Sequence, residues 1–116
     1  MKTNIDLHQL VECVGDAIIV ADANEKIVLW NPAATRIFGY SEEEALGNVL
    51  DFIVPERQKQ KHNHGYSHSM ETGTTRYGTS LLKVPAKHRD GSTLSIAFTV
   101  GMLFDANHKA NGVVAI

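Results

Sequence analysis

Three helix-start signals follow one another in the middle of the chain, and they constrain the fold more than any other feature of the sequence. Asn31 stands before Pro32, which favours a helix start because Asn accepts from free backbone amides of the first turn and Pro lacks an amide hydrogen. Ser41 and Glu44 have the spacing of a capping box, and Pro55 opens a further helical segment. The central part of the chain is therefore predicted to form short helices in series.

Strand-like segments lie on both sides of these helices. They are β-branched and apolar, or alternate between apolar and polar residues, and polar turns separate them. The predicted strands cover residues 17–21, 27–30, 81–86, 94–104 and 113–116. This order predicts an α+β fold in which short helices cross one face of an antiparallel sheet and leave room for a pocket.

The chain is expected to form one domain over residues 1–116. Its hydrophobic fraction of 43% and its charged fraction of 21% are typical of a globular protein. Residues 1–14 carry apolar side chains at helical spacing, which predicts an amphipathic N-terminal helix. The last strand pattern reaches residue 116, so we expect that strand to be truncated there.

Charge and composition exclude several classes of partner and activity. A formal net charge of -2 offers no basic surface for nucleic acid. No apolar run is long enough to span a membrane. The single cysteine, Cys13, excludes an internal disulfide, which fits a cytoplasmic protein. The sequence has no Gly-x-Ser-x-Gly elbow and no phosphate-binding glycine loop, so we expect that the chain is not an enzyme.

Four short stretches carry a resemblance to a known family. They are residues 30–34 (WNPAA), 38–41 (FGYS), 44–47 (EALG) and 89–92 (RDGS). Together with the order of elements, they make the chain resemble the PAS family over nearly its whole length. The resemblance implies a five-stranded antiparallel sheet flanked by short helices, which binds a small ligand or cofactor or forms a homodimer. It also implies signalling to an output domain outside this chain, such as a kinase, a cyclase or a chemoreceptor.

The segment after Pro55 is the most informative about a ligand. On a helix His62, Tyr66 and Met70 are four residues apart and share one face, whereas His68 points away from His62. An imidazole that faces a pocket is the type of side chain that ligates heme iron. We therefore interpret His62 as a candidate iron ligand.

The heme-binding PAS oxygen sensors resemble this segment. They place the proximal histidine seven positions after a helix-opening proline, and that position is His62 here. In the kinase-type sensors, polar groups six and fourteen positions further on hold the heme propionates, which implies His68 and Arg76 in this sequence. The resemblance thus implies a b-type heme, with His62 as its metal ligand.

The predicted distal side departs from these sensors. Their distal arginine corresponds to Leu82 here, and their distal methionine corresponds to Ser80. An apolar wall of Leu81, Leu82, Ile96 and Phe98 would suit carbon monoxide or nitric oxide better than oxygen, because bound oxygen gains from a polar donor. The residues predicted to line the pocket are Tyr66, Met70, Leu82, Ile96 and Phe98.

Other functions remain open on the sequence. One is the binding of an unidentified small ligand. Another is a cofactor-free module that forms a homodimer through Leu7, Leu10 and Val14 of the N-terminal helix. A flavin–cysteine adduct is not expected, because light-sensing relatives carry the reactive cysteine beside the pocket, whereas Cys13 precedes the first strand. A non-covalently bound flavin leaves no comparable signature and stays an alternative.

Overall fold

A computed structural model describes residues 4–75 and 77–116 of the chain. Its helices are α1 (Leu7–Cys13), α2 (Pro32–Phe38), α3 (Glu42–Ala45) and α4 (Lys59–Thr72), with 3-10 turns at Leu50–Ile53 and Glu56–Gln58. Its strands are β1 (Ile19–Asp22), β2 (Ile27–Trp30), β3 (Leu82–Lys87), β4 (Thr93–Phe98), β5 (Val100–Phe104) and β6 (Ala110–Ala115). Within the described ranges, no helix has the length and apolar character needed to cross a lipid bilayer.

The strands form one antiparallel layer in two parts. β2, β1, β6 and β5 are neighbours in that order in a four-stranded sheet, and β3 pairs with β4 in a two-stranded one. The pairs β1–β2, β1–β6, β3–β4 and β5–β6 are antiparallel. The short helices between β2 and β3 pack against this layer through a shared apolar core. The predicted α+β fold class is therefore confirmed.

The longest predicted strand differs most from its prediction. The sequence predicts a continuous strand over residues 94–104, but the structure breaks it at Thr99 into β4 and β5. β4 pairs with β3, whereas β5 pairs with β6, and Thr99 exchanges backbone hydrogen bonds of 3.0 and 3.1 Å with Ile116. Apolar residues keep their alternation across the break, so the period-2 pattern does not reveal the change of partner. The expected five-stranded sheet is thus a four-stranded sheet and a hairpin.

The core lies between the first hairpin and the short helices. Trp30 of β2 is 1% exposed, and its ring centroid lies 5.6 Å from that of Phe38 in α2. Leu94 and Ile96 of β4 pack against the same cluster, so the second hairpin shares this core. The buried members of the cluster are Ile19, Ile27, Trp30, Ala34, Phe38, Ala45, Ile53 and Ala86.

The helix starts predicted at α2 and α3 are confirmed. The side chain of Asn31 accepts a hydrogen bond from the Ala34 amide at 3.1 Å, and Pro32 is the first residue of α2. Ser41 Oγ accepts from the Glu44 amide at 3.1 Å, while Glu44 Oε1 accepts from the Ser41 amide at 3.0 Å. These capping signals can be recognised in a sequence because both hydrogen-bond partners lie within three residues of each other.

Candidate functional site

Helix α4 carries four of the residues that the sequence predicts to bind a ligand: His62, Tyr66, His68 and Met70. It ends before Gly73, whose left-handed φ of 71° closes the last turn. Tyr66 is 9% exposed and Met70 is half-buried, so the face that they share with His62 is turned inward. The four-residue spacing thus agrees with a face of α4 that is turned inward and partly buried.

His62 makes a polar contact with the turn between β1 and β2. Its Nε2 lies 2.9 Å from Glu25 Oε2, and the two side chains are 27% and 12% exposed. A carboxylate oxygen accepts, so the imidazole N–H is the donor. Hydrogen bonds to a charged group of this kind are stronger than neutral ones. This contact ties α4 to the first hairpin.

Glu25 is a residue that the sequence analysis did not select. Its φ is 64°, in the left-handed region that residues other than glycine adopt rarely. Its amide donates to the Asp22 carbonyl at 2.9 Å, and its carbonyl accepts from the Leu50 amide at 2.9 Å. These bonds fix the direction in which the carboxylate leaves the turn. The local pattern shows a polar turn here, but the partner of Glu25 lies 37 residues away along the chain.

Tyr66 provides a second link between α4 and the same turn. Its hydroxyl donates to the Asp22 carbonyl at 2.6 Å, and its ring centroid lies 6.2 Å from that of His62. Burial raises the pKa of the Tyr66 hydroxyl above its ordinary value, and the negative charges of Glu25 and Asp22 add to this shift. The phenol therefore stays protonated and remains a donor.

Three of the four predicted wall residues, Leu82, Ile96 and Phe98, lie on β3 and β4. Leu82 is directly opposite Phe98 and Val84 is opposite Ile96, so these four side chains share one face. Ile96 packs against the core, which makes this the inner face of the hairpin. Leu82, Ile96 and Phe98 are only half-buried, and Val84 is 39% exposed. Apolar surface on the inner face thus remains partly uncovered.

The structure arranges the predicted site residues as two groups. His62 contacts Glu25 and Tyr66 on the α4 side, whereas Leu82 and Phe98 pair with each other on the β3–β4 side. Two predicted residues stand apart from both groups: His68 is exposed on α4, and Leu81 is 58% exposed before β3. Arg76 lies outside the described residues.

The donor set fits a heme better than a bare metal ion. Among residues 4–75 and 77–116, no three His, Cys, Asp or Glu side chains gather into a metal-binding group. A zinc site takes three or four protein ligands, whereas heme iron receives its equatorial ligands from the porphyrin and needs one axial side chain. A partly exposed His62 and an uncovered apolar face suit that requirement. The contact with Glu25 opposes it, because it occupies an imidazole nitrogen.

The N-terminal helix borders a cleft that lies away from α4. A surface cleft of about 230 Å³ runs between α1 and β2, and residues of both elements line it, among them Leu7, Val11, Leu29 and Trp30. Leu7 and Leu10 of α1 are 71% and 47% exposed. Cys13 is exposed on the same helix, on a different element from the α4 site. The apolar surface of α1 is therefore a separate feature of the molecule.

Comparison with known proteins identifies a family and two sensor relatives. The family model described as the PAS fold matches residues 5–116. The sensor protein FixL of Bradyrhizobium diazoefficiens is 32% identical over 95 residues, which cover 82% of this chain and 19% of that protein. The oxygen sensor protein DosP of Escherichia coli is 27% identical over 82 residues, which cover 71% of this chain and 10% of that protein. This chain thus spans less than a fifth of either relative.

Solved structures share the same fold at low sequence identity. A PAS domain from Colwellia psychrerythraea matches with a TM-score of 0.78 and 20% identity, over 95% of this chain and 92% of that one. An RNA-binding light-oxygen-voltage receptor matches with a TM-score of 0.77 and 17% identity, over 99% of this chain and 34% of that one. At these identities the likeness shows the fold alone.

Proposed function

Because this chain belongs to the PAS family, we propose that it is a sensory signal-input domain that holds a b-type heme through His62. The observation that supports this most is the position of His62 on the inward face of α4, next to the buried Tyr66. Its imidazole is 27% exposed and thus accessible to a ligand. The 32% identity to a sensor protein and the likeness to an oxygen sensor support the same class of function.

The other residues have distinct roles in this proposal. Tyr66 and Met70 line the pocket on the helix side, and the apolar wall on the sheet side comprises Leu82, Ile96 and Phe98. His68 and Arg76 are the candidates to donate hydrogen bonds to the heme propionates. When bound, the heme supplies an iron coordination position for a diatomic gas. The apolar wall favours carbon monoxide or nitric oxide over oxygen.

Signal output is part of the proposal as well. Ligand binding at α4 biases the helix and the strands between two arrangements, and a kinase, cyclase or chemoreceptor domain responds to this change. The chain covers less than a fifth of its sensor relatives, which leaves ample length in such proteins for an output domain. We place the domain in the cytoplasm, without contact to nucleic acid or membrane and without enzymatic activity of its own.

Replacement of His62 tests the heme proposal. The protein purified from heme-supplemented cells is expected to show a strong Soret band, and His62→Ala is expected to lose it because the iron loses its axial ligand. His64→Ala is the matched control, since His64 is exposed on the same helix and should leave the band unchanged. A colourless wild-type protein, or a Soret band that survives in His62→Ala, would contradict the proposal.

The second candidate function is a cofactor-free module that forms a homodimer. It is favoured by α1, where Leu7 and Leu10 are largely exposed while Val14 is half-buried at the end of the helix. Burial of such apolar side chains between two copies would favour association.

Charge substitution on α1 tests this alternative. If the domain forms a homodimer through α1, Leu10→Glu is expected to convert it to a monomer, because a carboxylate is costly to bury. Leu46→Glu is the control, since Leu46 is 42% exposed outside α1. Light scattering after gel filtration measures the mass of each variant. A dimer that persists in Leu10→Glu and after removal of residues 1–14 would exclude this interface.

A further inference from the structure

Glu25 adopts a backbone conformation that is unfavourable for its residue type. With a φ of 64° it lies in the left-handed region, where glycine is the usual residue and Asn or Asp the common exceptions. A non-glycine residue persists there only when its surroundings hold it, and such positions cluster at functional sites. The side chain of Glu25 is therefore a candidate for a specific role.

The burial of Glu25 points in the same direction. The whole residue is 9% exposed and its side chain is 12% exposed. A buried carboxylate is unfavourable unless a hydrogen-bond donor faces it. The donor here is His62 Nε2 at 2.9 Å, while the neighbouring Tyr66 hydroxyl donates instead to the Asp22 carbonyl. The side chain at this unfavourable backbone position is thus buried against His62.

This contact involves an atom that metal binding also needs. An imidazole nitrogen that donates its hydrogen to a carboxylate has no free lone pair, whereas a nitrogen that ligates iron must offer one. His62 Nε2 is held as a donor by Glu25 and is turned toward the β1–β2 turn. We propose that Glu25 is a latch, which holds His62 in the cofactor-free domain and must be displaced before His62 binds heme. This inference rests on the proposed role of His62 as the iron ligand.

A latch and an orienting partner have opposite consequences. Many metal-bound histidines donate their second N–H to a carboxylate, and removal of that carboxylate weakens metal binding. A latch stabilises only the cofactor-free state, so its removal strengthens binding. The sign of the change in heme affinity therefore distinguishes the two roles.

Titration of the cofactor-free protein with hemin is the test. Glu25→Gln keeps the size of the side chain but removes its charge, and we expect hemin to bind about tenfold more tightly. Glu25→Gly removes the contact completely and suits the left-handed backbone, so its gain should be at least as large. Association of hemin should become faster in both variants, while its dissociation rate stays unchanged.

A control separates the contact from a general effect of charge. Glu56→Gln removes one negative charge near the start of α4, where Glu56 contacts Lys59 at 3.2 Å and is 87% exposed. Its hemin affinity should equal that of the wild type. In the His62→Ala background, Glu25→Gln should not restore hemin binding, because the latch acts only through His62.

Each outcome supports or overturns the latch. Unchanged or weaker hemin binding in both Glu25 variants, with binding still lost in His62→Ala, would overturn the latch but leave His62 as the ligand. Failure of every variant to bind hemin would overturn the proposed function together with the latch. The latch can also be tested without heme, by recording the nitrogen NMR signals of the histidine imidazoles in the cofactor-free protein. The His62 signals should shift in Glu25→Gly, and identical signals would also overturn the latch.

Discussion

Asn31→Ala is expected to lower the free energy of unfolding by about 3 kcal/mol, because it leaves several backbone groups without a hydrogen-bond partner. Asn31 is 2% exposed. Its Oδ1 accepts from the amides of Ile18 at 2.9 Å and Ala34 at 3.1 Å. Its Nδ2 donates to the carbonyls of Val11 at 3.1 Å and Asp16 at 3.0 Å. One side chain thus caps α2 and fixes the segment that joins α1 to β1.

Urea denaturation of Asn31→Ala measures this loss. Asn24→Ala is the control, since Asn24 is exposed in the β1–β2 turn and its loss should change the free energy of unfolding by less than about 0.5 kcal/mol. Hydrogen exchange should also accelerate in α1, because two of the four bonds end on the segment from Val11 to Asp16. A loss below about 1 kcal/mol for Asn31→Ala would contradict the importance of these bonds.

Gly39→Ala is expected to lower the free energy of unfolding by about 2 kcal/mol or more, because it combines backbone strain with a steric clash. Gly39 ends α2 with a φ of 84°. A Cβ at this position would lie 2.6 Å from His88 Cε1 and 2.8 Å from His88 Nε2. The β3–β4 turn packs closely here, since the Arg89 amide also donates to the Phe38 carbonyl at 2.9 Å.

Gly47→Ala isolates the backbone contribution. Gly47 has a similar φ of 81°, but a Cβ there would meet nothing within 4 Å. Gly47→Ala should lower the free energy of unfolding by only about 1 kcal/mol, the usual penalty of an alanine with left-handed backbone angles. The second substitution His88→Ala in the Gly39→Ala background should recover the difference, which chemical denaturation measures. Equal losses for the two glycine variants would show that His88 moves aside without cost.

These two positions connect different parts of the fold. Asn31 joins the N-terminal helix to the core, and Gly39 allows the β3–β4 turn to pack on α2. The apolar wall of the proposed pocket belongs to that same β3–β4 hairpin. Asn31 and Gly39 thus connect α1 and the β3–β4 hairpin to the two ends of α2, whose Ala34 and Phe38 belong to the core.

The inward face of α4 was predictable because its signal is local. The spacing of His62, Tyr66 and Met70 follows from the helical period, and the structure turns that face inward. The partners of these residues were not predictable. Tyr66 donates to a carbonyl 44 residues away along the chain, and His62 contacts a carboxylate 37 residues away. Contacts between residues so far apart along the chain produce no periodic pattern in the sequence.

The family, the helix caps, most of the order of elements and the inward face of α4 were predictable, because each depends on residues within a few positions of one another or on motifs in a fixed order. Tertiary structure decided which strand pairs with which and what His62 contacts. The strand predicted over residues 94–104 changes partner at Thr99 without any change in its apolar alternation. Glu25 reaches His62 only because the β1–β2 turn folds beneath α4. Pairing of this kind is set by packing between distant segments, whose geometry no local pattern encodes.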